Sequence, residues 1–78
     1  MDFDHEIDCG GLMCPLPVLK ARKRLIGMQP KAVLKVLVTD KMAEIDLPHF
    51  CAEAGHQYLG HRPEGTATAH FLRRTDRA

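Results

Sequence analysis

The chain has 78 residues, 11 of them Lys or Arg and 10 Asp or Glu, which gives a net charge of +1. About half the length of a typical domain, it leaves no room for a separate substrate domain, so we expect one compact unit over residues 1–78. Its near-neutral charge creates no field that attracts nucleic acid or a membrane surface. No apolar run approaches the ~20 residues that span a bilayer. We therefore expect no direct nucleic-acid partner and no membrane association.

The amino terminus and the cysteines indicate the compartment. Residues 1–6 are acidic and lack the basic region and apolar core of a signal peptide. The three cysteines, Cys9, Cys14 and Cys51, are an odd number. Without an export signal, this number favours reduced thiols over a disulfide framework. We expect a cytoplasmic protein.

The first half of the chain predicts a strand followed by a helix. Residues 4–8 form the predicted strand, which runs into a turn at Gly10-Gly11. Pro15 suits the first position of a helix, where its missing N–H is no loss, so Cys14 falls at the N-cap. The helix is predicted to extend from Pro15 to about Gly27.

This first helix is predicted to be amphipathic. At 100° per residue one arc is apolar and contains Val18, Leu19, Ala21, Leu25 and Ile26. The opposite side is basic and contains Lys20, Lys23 and Arg24. Arg22 falls in the middle of the apolar arc. Because an unpaired buried charge costs several kcal/mol, we expect the carboxylate of Asp46 or Asp8 beside its guanidinium.

An inner strand and a second helix follow. Residues 32–39 are rich in Val and Leu, as an inner strand is. Its residues Leu34, Val36 and Val38 are expected to face the helices. Residues 40–46 look like a turn with room for one helical turn of its own, and Asp46-Leu47-Pro48 indicates the start of a short helix over residues 47–54.

The last part of the chain predicts a hairpin of two strands, residues 56–61 and 66–73, joined at 62–65 by a turn containing Pro and Gly. The full order is strand, helix, strand, helix, strand, strand. Two helices with two apolar faces most simply cover one side of a sheet. We therefore predict an α/β two-layer sandwich with a four-stranded mixed sheet and both helices on one face. On the other face Val33 and Leu37 are expected to be exposed.

Cys14 is the strongest candidate for chemistry. At the N-terminus of a helix, unpaired N–H groups and the helix dipole stabilise an anion, so the thiolate is favoured. Pro15 and Pro17 cannot donate hydrogen bonds, which leaves Leu16 and Val18 as the nearest N–H donors to the sulfur. The two prolines also restrict the backbone, so the candidate site is rigid.

The basic residues Lys20, Lys23 and Arg24 are a candidate docking patch. They lie roughly 9–15 Å from Cys14 along the helix axis at 1.5 Å per residue, too far for contact with the sulfur. We expect them to bind a partner protein.

The other cysteines and the histidines are interpreted as structural. Cys9 lacks the Cys-x-x-Cys spacing of a redox pair, so it is expected to be semi-buried at a strand end, and Cys51 is expected to pack inside the second helix. His49, Cys51 and His56 do not share a helix face, which argues against a metal site. The remaining histidines are interpreted as ordinary strand or surface residues: His5, His61 and His70.

The residues around Cys14 resemble a known family. Asp8, Gly11-Leu12, the segment Cys14-Pro15-Leu16-Pro17-Val18 and Arg22-Lys23 resemble the signature of the TusA/SirA-like small sulfur-carrier proteins. The similarity extends over nearly the whole chain, through Met28-Gln29-Pro30, Thr39-Asp40, Asp46-Leu47-Pro48, Phe50-Cys51, Gly55-His56 and Phe71-Leu72-Arg73-Arg74. One departure is Asp40-Lys41, where the family commonly has Asp-Pro. Another is Cys9, which stands at a variable position.

The resemblance implies the same sandwich fold and a single sulfur-carrying cysteine, Cys14. Such a sulfurtransferase-type carrier accepts sulfane sulfur as a persulfide from a donor such as a cysteine desulfurase or rhodanese. It passes the sulfur to an acceptor protein's cysteine by exchange at sulfur. The routes that the resemblance implies are tRNA thiolation, sulfur-cofactor assembly, sulfur oxidation and selenium handling. No metal or organic cofactor is required, and we expect a monomer that forms transient complexes.

Two alternatives belong to other functional classes. One is a non-enzymatic interaction or regulatory module that docks through the basic face of the first helix, with Cys14 as a packed N-cap. The other is a small thiol oxidoreductase, which lacks a convincing second active cysteine.

Overall fold

The computed structural model describes residues 2–75, in which a mixed sheet carries two helices. The elements are β1 (His5–Cys9), α1 (Leu16–Ile26), β2 (Val33–Val38), α2 (Ala43–Ala54), β3 (Gln57–Glu64) and β4 (Ala67–Arg73). The sheet order is β1-β2-β4-β3, with β1 parallel to β2 and the other neighbours antiparallel. The predicted element order, fold class and four-stranded mixed sheet are confirmed. Neither helix in the described part has the length and apolar character needed to cross a membrane.

The main core lies between the sheet and the two helices. Alternate residues of β2 point into it, and Leu34, Val36 and Val38 are all buried there, as predicted. The helices contribute Leu25 from α1 and Leu47 from α2, both fully buried. Burial of such side chains is the main source of stability in a chain of this size, at roughly 1.5–3 kcal/mol each.

The buried side of α1 is narrower than predicted. Pro17, Ala21 and Leu25, spaced four residues apart, are its buried residues. Leu19 and Ile26, which were expected on the apolar arc, are 50% and 67% exposed. Residues four apart form a single row along a helix, and only this row is fully covered here.

Arg22 is exposed, so the expected buried ion pair is wrong. Within residues 2–75 the ion pairs involve other side chains, and neither Asp46 nor Asp8 pairs with this guanidinium. The physical reason is the narrow buried row of α1, which leaves Arg22 on the solvent side. A charge in water needs no partner, and its position in the helix carries no stability penalty.

The second helix starts earlier than predicted, at Ala43 instead of residue 47. Asp40 explains the shift, because its Oδ1 accepts the Met42 N–H at 3.0 Å and its carbonyl oxygen accepts the Ala43 N–H at 3.1 Å. Pro48 therefore lies inside α2 instead of at its start. The end is as predicted, because Gly55 adopts the left-handed conformation at φ 84° that commonly ends helices.

The hairpin is confirmed, but its turn lies further along the chain than expected. β3 continues through Pro63 to Glu64, and the turn is made by Gly65, at φ 63°, and Thr66. Pro63 is compatible with a strand because β3 is at the edge of the sheet, where its missing N–H removes no ladder bond.

The second face of the sheet is better covered than predicted. Val33 is only 7% exposed and packs with Ala69 and Phe71 in a small cluster. Leu37 packs against this cluster and is half-buried. The expectation that Val33 is exposed there is therefore wrong. Lys35 also points to this face, where its Nζ lies 2.8 Å from Glu64 and 3.5 Å from Glu6. These two ion pairs connect the central strand to both edge strands.

His70 lies in β4, as its interpretation as a strand or surface residue allows, but it is fully buried and bonded to other side chains. The Tyr58 hydroxyl lies 2.8 Å from Nδ1 of His70 and 3.0 Å from Nδ1 of His61. A hydroxyl has one hydrogen, so Tyr58 donates to one imidazole and accepts from the other. His61 extends this series of side-chain contacts toward the surface, because its Nε2 lies 3.6 Å from the Glu44 carboxylate. Nε2 of His70 has no hydrogen-bond partner within the described residues.

Lowering the pH is expected to destabilise the protein through His70. Burial, and then the nearby His61, lower the pKa of His70 from 6.5 to about 4. The unfolded chain therefore binds more protons between these two values, so stability is lost as the pH falls through this window and levels off below it. A difference of this size corresponds to about 3 kcal/mol. Urea unfolding at successive pH values measures the loss, and His70→Gln is expected to remove most of the slope.

His49→Gln is the matched control, because His49 is exposed on α2. It is expected to leave the pH dependence unchanged. His56, whose pKa is lowered by burial and by Arg74, adds a residual slope of the same sign in every variant. If the unfolding free energy of His70→Gln depended on pH as strongly as that of the unmodified protein, other groups would cause the loss of stability.

Candidate functional site

Cys14 lies in the loop between β1 and α1, and two hydrogen bonds hold this loop against the end of β2. The Gly11 N–H donates to Oγ1 of Thr39 at 2.9 Å, and the Cys14 N–H donates to Oδ2 of Asp40 at 2.8 Å. Because the other oxygen of Asp40 binds the Met42 N–H, one carboxylate joins the loop before α1 to the start of α2. The two N–H donors lower the pKa of Asp40.

The start of α1 differs from the prediction by one residue. Pro15 is the N-cap and Leu16 the first helical residue, so Cys14 lies just before the cap. The Leu16 N–H donates to the Met13 carbonyl oxygen at 2.9 Å and is not available to the Cys14 sulfur, contrary to expectation. Pro17 remains in the first turn, as predicted, and is buried.

The Cys14 thiol is exposed and lines an open groove between the two helices. The groove has a volume of about 410 Å³. Pro15, Val18 and Arg22 line it from the side of α1. The lining from α2 consists of Asp46, His49, Phe50, Glu53 and Ala54. Access to the sulfur is therefore open, as exchange with another protein's cysteine requires.

The electrostatics at Cys14 are the opposite of the sequence prediction. A hydrogen bond to Asp46 raises the pKa of the thiol, and partial desolvation and the charges of Asp46 and Asp40 raise it further. The expectation of a favoured thiolate is therefore wrong for the isolated chain. The physical reason is that the fold brings two carboxylates to the sulfur, while one of the two expected N–H donors, that of Leu16, is already bonded.

The other two cysteines are buried. Cys51 is 1% exposed inside α2, which confirms its packing role, and burial raises its thiol pKa to about 12. Cys9 is completely buried instead of semi-buried, and burial raises its pKa as well. A thiolate is the reactive form of cysteine, so both side chains are poorly suited to exchange with a partner. Cys14 is the one exposed cysteine.

The predicted docking residues are separate from the Cys14 groove. Lys20, Lys23 and Arg24 line a second groove of about 520 Å³, between α1 and the free edge of β1. His5, Ile7, Asp8, Gly27 and Met28 line the same groove. The structure thus places the basic residues on the side of α1 that faces away from α2.

The histidines near the site do not form a metal centre. His49 interacts with Glu53 on the solvent side of α2, while Cys51 of the same helix is buried. Among residues 2–75 no group of three or more His, Cys, Asp or Glu side chains is placed to hold a metal ion.

Sequence reasoning missed the two carboxylates beside Cys14. A signal for Asp40 was present, because β1 and β2 are parallel and their carboxyl ends lie at the same edge of the sheet. Residues that follow parallel strands meet there, which brings Asp40 to the loop that holds Cys14. Asp46 was expected at the start of the second helix; it lies instead within the first turn of α2, which begins at Ala43, and lines the groove together with Cys14.

These features define a class: a small two-layer α/β protein that presents one exposed cysteine before the first helix, beside an open groove. Residues 5–74 match the family described as Sulfurtransferase TusA. The chain belongs to the TusA family of sulfur carriers, as the resemblance at Cys14-Pro15-Leu16-Pro17 indicated.

Named relatives cover most of the chain. It is 41% identical over 71 residues to the sulfur carrier protein TusA of Allochromatium vinosum, a match that covers 91% of this chain and 92% of the relative. TusA of Pseudomonas entomophila is 35% identical over 71 residues, with 91% and 89% coverage. YrkF of Bacillus subtilis is 40% identical over 68 residues, which are 87% of this chain but only 37% of that longer protein.

The fold also matches a solved structure. The crystal structure of a SirA-like protein from Desulfitobacterium hafniense superposes with a TM-score of 0.81 at 23% sequence identity. The match covers 94% of this chain and 100% of the other. At this identity the likeness concerns the fold alone.

Proposed function

We propose that this protein accepts sulfane sulfur as a persulfide on Cys14 and relays it to the cysteine of an acceptor protein. The observation that carries the proposal is the position of Cys14, the one exposed cysteine, in the loop before α1 beside an open groove. Membership of the TusA family supports the same assignment. The donor would be a persulfide protein such as a cysteine desulfurase or rhodanese.

The relay consists of two exchanges at sulfur. In the first, the Cys14 thiolate attacks the outer sulfur of the donor persulfide, a new S–S bond forms to Cys14, and the donor leaves as a thiolate. In the second, an acceptor thiolate attacks the same outer sulfur, and Cys14 leaves as a thiolate. Cys14 is oxidised in the first step and reduced in the second, so no external oxidant or reductant is needed. Each step requires a partner to reach the sulfur, which is why exposure matters.

A mass measurement tests the proposal. The protein is incubated with a cysteine desulfurase and cysteine, and its intact mass is compared before and after reductant. We expect a gain of one sulfur atom that the reductant removes. An unchanged mass with both desulfurase and rhodanese donors would contradict the proposal.

We further propose that the basic residues of α1 dock the partner proteins. Lys20, Lys23 and Arg24 are exposed along one groove, and a complementary acidic surface would be attracted to them. Reversal of the three charges to Glu is expected to slow transfer at least several-fold by lowering the association rate, with little change in thermal stability because exposed charges contribute little to folding.

Transfer rates at low and high salt provide the measurement, and Lys31→Glu is the control, because Lys31 is exposed after the end of α1 and does not line the groove of the three basic residues. The effect of the triple reversal should shrink as salt screens the charges. Equal transfer rates for the triple variant and the unmodified protein at low salt would exclude this docking patch.

A second candidate is a non-enzymatic module that binds a partner through α1. The exposure of Leu19 and Ile26 beside the basic residues favours it, because apolar and cationic side chains together suit a protein interface. The mass measurement separates the two functions, because a binding module gains no sulfur. Within the relay, a persulfide on Cys14 would serve tRNA thiolation, sulfur-cofactor assembly or sulfur oxidation, and selenium handling is a further route.

A further inference from the structure

The groove beside Cys14 contains a carboxylate that forms no ion pair within residues 2–75. This is Asp46, which lines the groove from α2, half-buried, together with Cys14. Asp40 is different, because both of its carboxylate oxygens accept backbone N–H groups, from Cys14 and Met42. The structural role of Asp40 is therefore evident, whereas Asp46 needs another explanation.

We infer that Asp46 is a positioning residue that opposes negative charge on the Cys14 sulfur and thereby favours release of the sulfane sulfur to the acceptor. The inference deepens the proposed relay and rests on it for the second half of the statement. The effect of Asp46 on the charge of the sulfur concerns the unloaded protein and does not depend on the proposed relay.

The unloaded and loaded states of Cys14 carry different charges. In the unloaded state Cys14 shares the groove with the Asp46 carboxylate, which favours the neutral thiol over the thiolate. In the loaded state the side chain ends in a persulfide, which is more acidic than a thiol and is an anion at neutral pH. Asp46 repels that anion. One residue therefore stabilises the empty carrier and destabilises the full one, which drives the bound sulfur toward an acceptor.

The other charged groups that line the groove do not cancel this effect. Arg22 lines it from α1, but it forms no ion pair with Asp46 within the described residues. On α2, His49 and Glu53 interact with each other. Asp46 and Asp40 both act on the sulfur with negative charge.

Asp46→Asn tests the inference, because asparagine keeps the shape of the side chain and removes its charge. Alkylation of the unloaded protein by iodoacetamide is followed by mass from neutral to alkaline pH, with Cys14→Ser as the blank. The variant is expected to be alkylated several-fold faster at neutral pH, with the midpoint of its pH profile at lower pH. After incubation with a desulfurase and cysteine, it is also expected to hold more persulfide at equilibrium.

Two control variants complete the design. Asp46→Glu keeps the charge and is expected to restore slow alkylation, while Glu53→Gln removes a carboxylate that is already paired with His49 and is expected to change nothing. An alkylation profile of Asp46→Asn that is unchanged, or shifted to higher pH, would overturn the inference. So would faster alkylation without a larger persulfide fraction. If the unmodified protein gains no sulfur, the proposed relay fails, but the alkylation profiles still decide the effect of Asp46 on the thiol.

Discussion

Replacement of Cys14 by serine is expected to abolish sulfur uptake without loss of the fold. A hydroxyl group is a far weaker nucleophile than a thiolate and forms no stable bond to sulfane sulfur, so the first exchange cannot occur. Because Cys14 is exposed and its link to Asp40 uses the backbone N–H, serine retains that hydrogen bond. Intact mass after incubation with a desulfurase and cysteine measures uptake, and thermal unfolding checks the fold.

Cys51→Ala is the matched control for this experiment. It removes a buried thiol, at some cost in stability, but leaves Cys14 in place, so uptake of one sulfur atom is expected to persist. A reducible sulfur on Cys14→Ser would place the persulfide on Cys9 or Cys51 and contradict the proposed function.

Replacement of Leu47 by alanine is expected to cost about 3–4 kcal/mol of unfolding free energy, because it removes a fully buried side chain and leaves a cavity. A loss of this size is a large part of the stability of a small domain. It also loosens α2, the helix that carries Asp46. Urea unfolding monitored by circular dichroism measures the change.

The control lies two residues away on the same helix. Ile45 is 64% exposed, so Ile45→Ala is expected to change the stability by less than about 0.5 kcal/mol. Comparison of Leu47→Ala with Ile45→Ala separates the effect of burial on stability from the small effect of helix propensity. Equal losses in the two variants would mean that Leu47 does not anchor α2 to the sheet.

The features that local sequence predicts well are those set by neighbouring residues. Valine and leucine at alternate positions of β2 predict a strand with a buried face, and Gly55 predicts the end of α2. The segment Cys14-Pro15-Leu16-Pro17 identifies the candidate cysteine and the family. Each of these signals lies within a few residues of the feature it predicts, so the rest of the fold cannot change it.

The features that were predicted wrongly depend on residues that are distant in the sequence. Arg22 is exposed because the sheet and α2 cover only one row of α1, which no periodicity within the helix can reveal. The start of α2 depends on Asp40, whose other oxygen binds the loop before α1, 26 residues away in sequence.

Sequence alone therefore determined the order of the elements, the family and the candidate cysteine, because local patterns encode them. Only the tertiary structure decided in which direction the pKa of that cysteine is shifted. The pKa of a thiol depends on which groups lie within a few ångströms of its sulfur, and Asp46, 32 positions further along the chain, comes near Cys14 only when α1 and α2 pack side by side on the sheet.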